Sequence, residues 1–400
     1  MKNVFFAFVA FLCLVSCSKK NGVSEVGEND LFTLEYGNFE DELNLFDIAE
    51  SGSVDTHIFM RDGFFFIANG ESRKIIELNS YGDLLSLYYN ADYARNLDFA
   101  QENEGNSTRK AISYPFNKLG SISVGGSKSL YVVDELPEER HEFDSEKRLH
   151  LSNVVLRFDL NGNFVDYIGQ QGPGGTPFPF VQNIYATKNE ELVVVCKTNE
   201  GLNVYWFAQN GFLLYDIPIN RSTVPNFEED ENYSHFSIES AIPDVSKHKL
   251  YLKVDYYEDS VDSDLKVATG IDYAKTVLFP LNVESGQYDD GLEIPGYELS
   301  FSDDELSRNW TEIPFDFFGV TESGWFFFIV PTESGYLVQM VREDGQSIVK
   351  RALAVDHSKI LYHSISLSDT GIISGLFARR ENALISWWRT DSLLSSFAAE

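Results

Sequence analysis

Four hundred residues with a formal net charge of −31 and 43% hydrophobic content can build one large core but are too acidic to grip a nucleic-acid backbone. With 32 Phe and 20 Tyr the apolar residues are mostly strand formers, and global disorder is excluded. Three cysteines leave no disulfide framework, so the core alone must hold the fold.

At the N-terminus, Lys2 supplies a positive start, residues 4–12 an apolar run and Leu14-Val15-Ser16-Cys17 its end. The run is shorter than the roughly 20 residues of a membrane span, so residues 1–16 read as an export signal. Leu14-Val15-Ser16-Cys17 resembles the lipobox of bacterial lipoproteins, which implies that Cys17 is acylated and becomes the mature N-terminus. Residues 17–30 then form a polar tether and residues 31–400 a single domain. By the same resemblance Ser18 suits transfer to the outer membrane of the cell envelope. Lys19-Lys20 departs from the acidic patch that marks surface export, which leaves the periplasmic or surface side open. Cys13 leaves with the signal, and Cys196, ending Leu192-Val193-Val194-Val195-Cys196, reads as an apolar filler of a buried strand.

From residue 57 onward the chain offers the same phrase six times: a hairpin with a tight polar turn, then a second hairpin with a Gly-bearing turn. The first unit runs through residues 57–60, 64–68, 73–78 and 84–89, and the second through 122–124, 130–133 and two strands about Asn161-Gly162. The third uses 184–187, 192–197, 203–207 and 212–217; the fourth, less regular, 237–242, 250–256, 276–281 and a weak strand from Gln287. The fifth uses 317–321, 325–330, 336–341 and 347–353, and the sixth only 363–367, 372–377 and 383–388. Its missing outer strand must come from residues 31–36 or 43–48; the second is favoured because it lies nearer the first unit. The expected fold is all-β, a six-bladed β-propeller of four-stranded antiparallel blades, closed by an N-terminal strand in the last blade. A pair of β-sandwiches, the competing architecture, has no need of this phrase six times.

Phe158-Asp159-Leu160-Asn161-Gly162-Asn163-Phe164, followed by Ile168-Gly169-Gln170-Gln171-Gly172-Pro173-Gly174-Gly175, resembles the blade signature of NHL-type six-bladed propellers. With the lipobox, the whole chain resembles the six-bladed propeller lipoproteins of the Bacteroidota. That resemblance implies a fold and an envelope location, and no single activity.

Propeller geometry puts the turns between first and second strands, and between third and fourth, on one face. All the long insertions, at residues 90–118, 135–153, 220–236, 257–275 and 289–315, belong to the opposite face. Loops on a rigid scaffold carry binding residues, so this loop-rich face is the candidate surface. It is acidic, with Glu138, Glu139 and Glu142 in one loop and Glu258 and Asp259 in another, which reads first as a solvated rim. Tyr233, His235, Tyr256, Tyr257 and Trp310 stand among the acids as candidate ligand-binding residues.

No His-x-Glu or His-Glu-x-x-His pair supports a zinc hydrolase, and no Gly-x-Ser-x-Gly elbow supports a serine hydrolase. Gly169–Gly175 lacks the Lys-Ser/Thr of a phosphate loop. The resemblance to six-bladed lactonase-like enzymes implies a calcium ion held by inner-strand oxygens, for which Asn183, Glu239 and Asp316 are the candidates. Two functions follow. The favoured one is a membrane-anchored envelope lipoprotein binding a protein, peptide or glycan without catalysis; the alternative is a calcium-dependent hydrolase or lyase.

Overall fold

A computed structural model describes residues 23–45, 55–93, 109–225, 235–261, 267–304 and 307–397. Within them six small antiparallel sheets stand in a ring, a six-bladed β-propeller. Blade one is Thr56–Arg61, Phe64–Asn69, Lys74–Leu78 and Leu84–Tyr89, with Lys110–Ser113 added in parallel at its outer edge. Blade two is Lys118–Val124, Leu130–Glu135, Asn153–Phe158 and Phe164–Gly169, extended by Gly172–Pro173. Blade three is Val181–Ala186, Leu192–Lys197, Gly201–Phe207 and Leu213–Asn220.

In blade four, His235–Pro243, Lys249–Val261 and Ala268–Asn282 are followed by two short pieces, Gln287–Tyr288 and Leu292–Ile294, that share the outer position. Blade five is Asp316–Val320, Trp325–Thr332, Gly335–Arg342 and Ile348–Ala354, with Glu25–Val26 parallel to its last strand. Blade six is Tyr362–Leu367, Ile373–Ala378 and Asn382–Trp388, completed by Glu28–Glu35.

The closing strand is therefore the earlier of the two expected, not residues 43–48. Glu28–Glu35 buries Leu34, and Tyr36 just beyond it donates its hydroxyl to the carbonyls of Arg379 (2.6 Å) and Asn382 (2.9 Å). Leu43 and Leu45 are fully buried, but as filler between blades six and one, on the passage the chain makes from the outer edge of the last blade to the inside of the first. Nearness in sequence to the first blade misled because that passage itself consumes residues. Phe46, Asp47 and Ile48 lie outside the described residues. Residues 25–26 and 28–30, expected in the tether, are in these sheets.

Each blade buries both faces, because each is flanked by two others. Six apolar clusters result, one per seam, and side chains alternate between the two seams along every middle strand. In blade three, Val193 and Val195 join the seam to blade four while Leu192, Val194 and Cys196 join the seam to blade two. Such strands read as unbroken apolar runs for that reason. Cys196 is fully buried, and burial pushes its thiol far above the usual range, so it is filler.

Among the described residues, three of the insertions expected as loops carry strands. Residues 142–151 form a hairpin, Glu142–Asp144 with Leu149–Leu151. The second and third strands of blade four run on past the sheet as a long ribbon, and Tyr297–Asp304 pairs with Ser307–Ile313. All three project from the loop-rich face. After Trp388 comes a short helix, Thr390–Phe397, whose Leu394 packs in the seam between blades five and six.

Candidate functional site

The innermost strands of blades two to five share an irregularity that blades one and six lack. Their pairing shifts register between Leu119 and Ile122, Val181 and Asn183, Ile238 and Ser240, and Phe317 and Gly319. An extra residue in a strand bends it and re-aims side chains. Here it helps to line the top of the ring axis with Ser121, Gln182, Ser240 and Phe318, which His57 and Ser364 complete from the regular strands of blades one and six. The resulting well has a volume of about 380 Å³. It lies at the strand starts, on the loop-rich face.

Phe59, Tyr185, Ile242, Phe318 and Leu367 line both this well and a second chamber of about 90 Å³ toward the tight turns. At that end the tight turns bond to one another across every seam. Arg61 joins blade one to Asp369 of blade six at 2.8 Å and to the Val124 carbonyl of blade two at 2.6 Å. The Ser127 amide and hydroxyl donate to Glu190 (2.6 and 2.7 Å) between blades two and three. The Lys188 amide donates to Val245 O (2.7 Å) between three and four, Lys247 pairs with Glu343 (3.6 Å) between four and five, and the Glu322 amide donates to Asp369 O (2.8 Å) between five and six. Lys188 also pairs with Glu322, tying blade three to blade five past blade four.

A clasp on the same face binds blade three to blade four. His248 places Nδ1 2.9 Å from Glu284 and Nε2 3.0 Å from Glu191, and Glu191 also accepts the Trp206 indole N–H at 2.8 Å. The bond to Glu284, with that to Glu191 behind it, raises the imidazole pKa above its usual 6.5 against the opposing pull of partial burial. A base raised in the fold adds stability that is complete below 6.5 and is lost as pH climbs through the folded value. Wild type should therefore lose its margin over His248→Gln as denaturation midpoints are followed from about pH 5 to about pH 9. A constant difference across that range would rule the clasp out as a charged pair.

Among the described residues the wall of the well carries no Asp, Glu, Lys or Arg. Asn183 Oδ1 accepts from Ser121 Oγ (2.6 Å) and from the Ile184 amide (2.9 Å), and its Nδ2 donates to the Tyr185 hydroxyl (3.1 Å). Ser364 Oγ accepts the Ile58 amide at 3.1 Å. Burial pushes the His57 imidazole down, more than Asp55 pulls it up, so it is neutral near pH 7. Two buried atoms of the wall, Gln182 Oε1 and Ser240 Oγ, have no hydrogen-bond partner.

Of the residues expected to bind a ligand, His235 and Tyr257 come together as a cross-strand pair at the base of the blade-four ribbon. His235 is exposed, 3.6 Å from Asp259, and Tyr257 meets Tyr273 edge-on at 6.2 Å. Tyr256 points the other way, buried against Phe236 in the seam with blade three. Trp310 lies on the strand Ser307–Ile313, opposite Ser300. Tyr233 and the acylation candidate Cys17 lie outside the described residues.

Of the expected metal ligands only Asn183 lines the well. Glu239 is exposed at the blade-four bulge, where Ser237 donates to it, and Asp316 is the exposed first residue of blade five. The described lining holds no carboxylate and does not fit a calcium ion, which needs several oxygen ligands with charge among them. Among the described residues no three of His, Cys, Asp or Glu gather to hold a metal.

His57, Ser121, Gln182, Ser240 and Ser364 were not singled out from the sequence. The available signal was a polar residue near the start of each otherwise apolar inner strand.

No family model matches the sequence, and no curated protein matches it either. Solved structures that resemble this one include the polysaccharide lyase Uly1, at 7% identity over 92% of this chain and 99% of that one, with a TM-score of 0.41. A calcium-binding protein, regucalcin, from Agrobacterium tumefaciens is 11% identical over 92% of this chain and 95% of that one, with a TM-score of 0.42. A gluconolactonase from Xanthomonas campestris is 10% identical over 84% and 85%, with a TM-score of 0.40. Likeness at this level transfers no activity to this chain.

Proposed function

We propose that this protein is a lipid-anchored protein of the bacterial cell envelope, held in the outer membrane, whose propeller binds a protein, peptide or glycan through its loop-rich face without catalysis. The observation that carries the binding reading is the axial well: a cavity of about 380 Å³ on that face, with polar side chains set in an otherwise apolar wall. Pockets with a few convergent polar groups on an apolar ground are the usual form of a ligand site. The described lining holds no acid–base pair to drive hydrolysis and no cluster to hold a metal, which favours binding over the calcium-dependent alternative.

Full-length protein probed on arrays of glycans and peptides should give hits that Ser364→Trp, which fills the well, removes without changing the melting temperature by more than a few degrees. Hits that survive that substitution would move the site elsewhere on the face. The anchor has its own test. Cys17→Ala should shift the protein from the membrane fraction to the soluble envelope fraction, and unchanged membrane retention would remove the lipid from this reading.

A further inference from the structure

We infer that the outer rim of blade five rests on the anionic headgroups of the bilayer, a reading that builds on the lipid anchor proposed above. Tether length argues first. The strand Glu25–Val26 runs parallel to Ile348–Ala354, the fourth strand of blade five, and the Ser24 carbonyl accepts the Ala352 amide at 3.2 Å. The N-terminal segment therefore meets the body at that rim. Val23 is the sixth residue after Cys17, a reach of about 20 Å at most. Two opposed blades with strands about 4.8 Å apart span more than that, even before the axis between them is counted. A lipid on Cys17 holds blade five near the bilayer, and blade two across the ring stays out of reach.

Charge then selects the surface. In a chain of net charge −31, Ile348–Ala354 carries Lys350 and Arg351 and no acid. The fourth strands of blades two, three and four each hold an acid, Asp166, Asp216 and Glu293, and that of blade six holds Glu28, Asp30 and Glu35. That of blade one is uncharged. Glu25 offsets one of the two blade-five cations, and Lys19 and Lys20 in the tether add two more. Neither Lys350 nor Arg351 is ion-paired with a described side chain: Lys350 Nζ lies 5.8 Å from the centre of the Phe315 ring, and Arg351 donates to the Lys350 carbonyl at 2.8 Å. Cations beside an anchor are drawn to anionic lipid, and the exposed Val23 and Ile348 add apolar contact at the same rim. Lying flat is disfavoured, because both faces of the ring present acids to such a surface. Glu138, Glu139 and Glu258 are exposed on the loop-rich face, and Asp62, Asp83 and Glu284 at the tight turns. The propeller stands on its rim, with the mouth of the well open to the side.

The test uses full-length acylated protein in vesicles of phosphatidylcholine with about 30% phosphatidylglycerol. Cys196 is buried and Cys17 carries the lipid in this reading, so a thiol-reactive fluorophore reports only from an introduced cysteine. Ile348→Cys places it on the blade-five rim and Val165→Cys on the opposite one, both at exposed positions. Nitroxide-bearing lipids should quench the label at 348 about threefold or more over that at 165. Lys350→Gln with Arg351→Gln should cut that ratio by about half while the melting temperature holds, and so should vesicles of phosphatidylcholine alone. Equal quenching at the two positions, or a ratio unmoved by either change, would overturn the rim assignment. If the protein still floats with the vesicles in that case, the anchor stands and only the rim is refuted. Protein that does not float with them loses the anchor and the rim together.

Discussion

Lys253→Met should destabilise the propeller by about 3–5 kcal/mol, although neither partner of the pair it breaks touches the well. Lys253 Nζ lies 2.5 Å from Asp255 Oδ2, and the two side chains are only 3% and 2% exposed. Thr276 donates to the other carboxylate oxygen at 2.5 Å, and Tyr273 donates to Thr276 at 2.9 Å. Burial already pushes the Asp255 carboxyl above its usual range, with Lys253 and then Thr276 opposing the shift. Without the lysine, an uncompensated charge is left in the interior between blades four and five.

The deficit should have a pH signature. Loss of Lys253 lifts the folded Asp255 value further, so the variant holds its stability in acid and loses it as pH rises through that value. The double variant Lys253→Met, Asp255→Leu removes both charges and should regain most of the loss, since a buried pair replaced by apolar groups is often neutral or better. Urea midpoints of the three proteins at about pH 5 and pH 8 decide it. A single variant within about 1 kcal/mol of wild type would show that the pair is not buried as described. Lys253 pairs across the strands with Ser240, so this network stands directly behind the wall of the well.

That pair also shows where sequence reasoning stops. Leu252-Lys253-Val254-Asp255-Tyr256 alternates as a half-solvated strand does, yet its polar positions face another blade. Period-2 alternation reports two faces; in a propeller both are inside, and the pattern cannot tell a partner's side chain from water. The phrase around Asn161-Gly162 was legible because its signals are local. Asp159 accepts the amides of Asn161 (2.9 Å) and Asn163 (2.8 Å), and Gly162 takes the positive φ of +85° that the reversal demands. The ring of tight turns on the opposite face was not legible. Lys188, Glu190, Glu322 and Asp369 look like ordinary turn residues, and only the closure of six blades brings them together. The well is a harder case still, since its polar groups arrive one or two at a time from five different blades and the strand bulges that aim several of them leave no mark in composition. The blade-four ribbon hid for the opposite reason: much of it is solvated on both faces, so Glu258 and Asp259 read as loop.

Leu34→Asp should be the more damaging of two substitutions in the closing seam, and for a reason beyond its size. Leu34 is 4% exposed within the cluster that joins blade six to blade one, and a carboxylate there has no partner in the cluster. An unpaired buried charge costs about 3 kcal/mol or more. Phe65→Ala, in the same cluster, is expected to cost a similar 3–5 kcal/mol, because Phe65 is fully buried, edge-on to Phe32 at 5.7 Å and 6.2 Å from Trp387. The two holes differ in what they release. Loss of Phe65 leaves Glu28–Glu35 hydrogen-bonded along Asn382–Trp388. Loss of Leu34 strikes the closing strand itself, and its detachment bares the third strand of blade six as an unpaired edge. At equal urea midpoints, Leu34→Asp should therefore show concentration-dependent light scattering that Phe65→Ala lacks. Equal scattering from both would mean that the ring does not depend on the N-terminal strand for its closure.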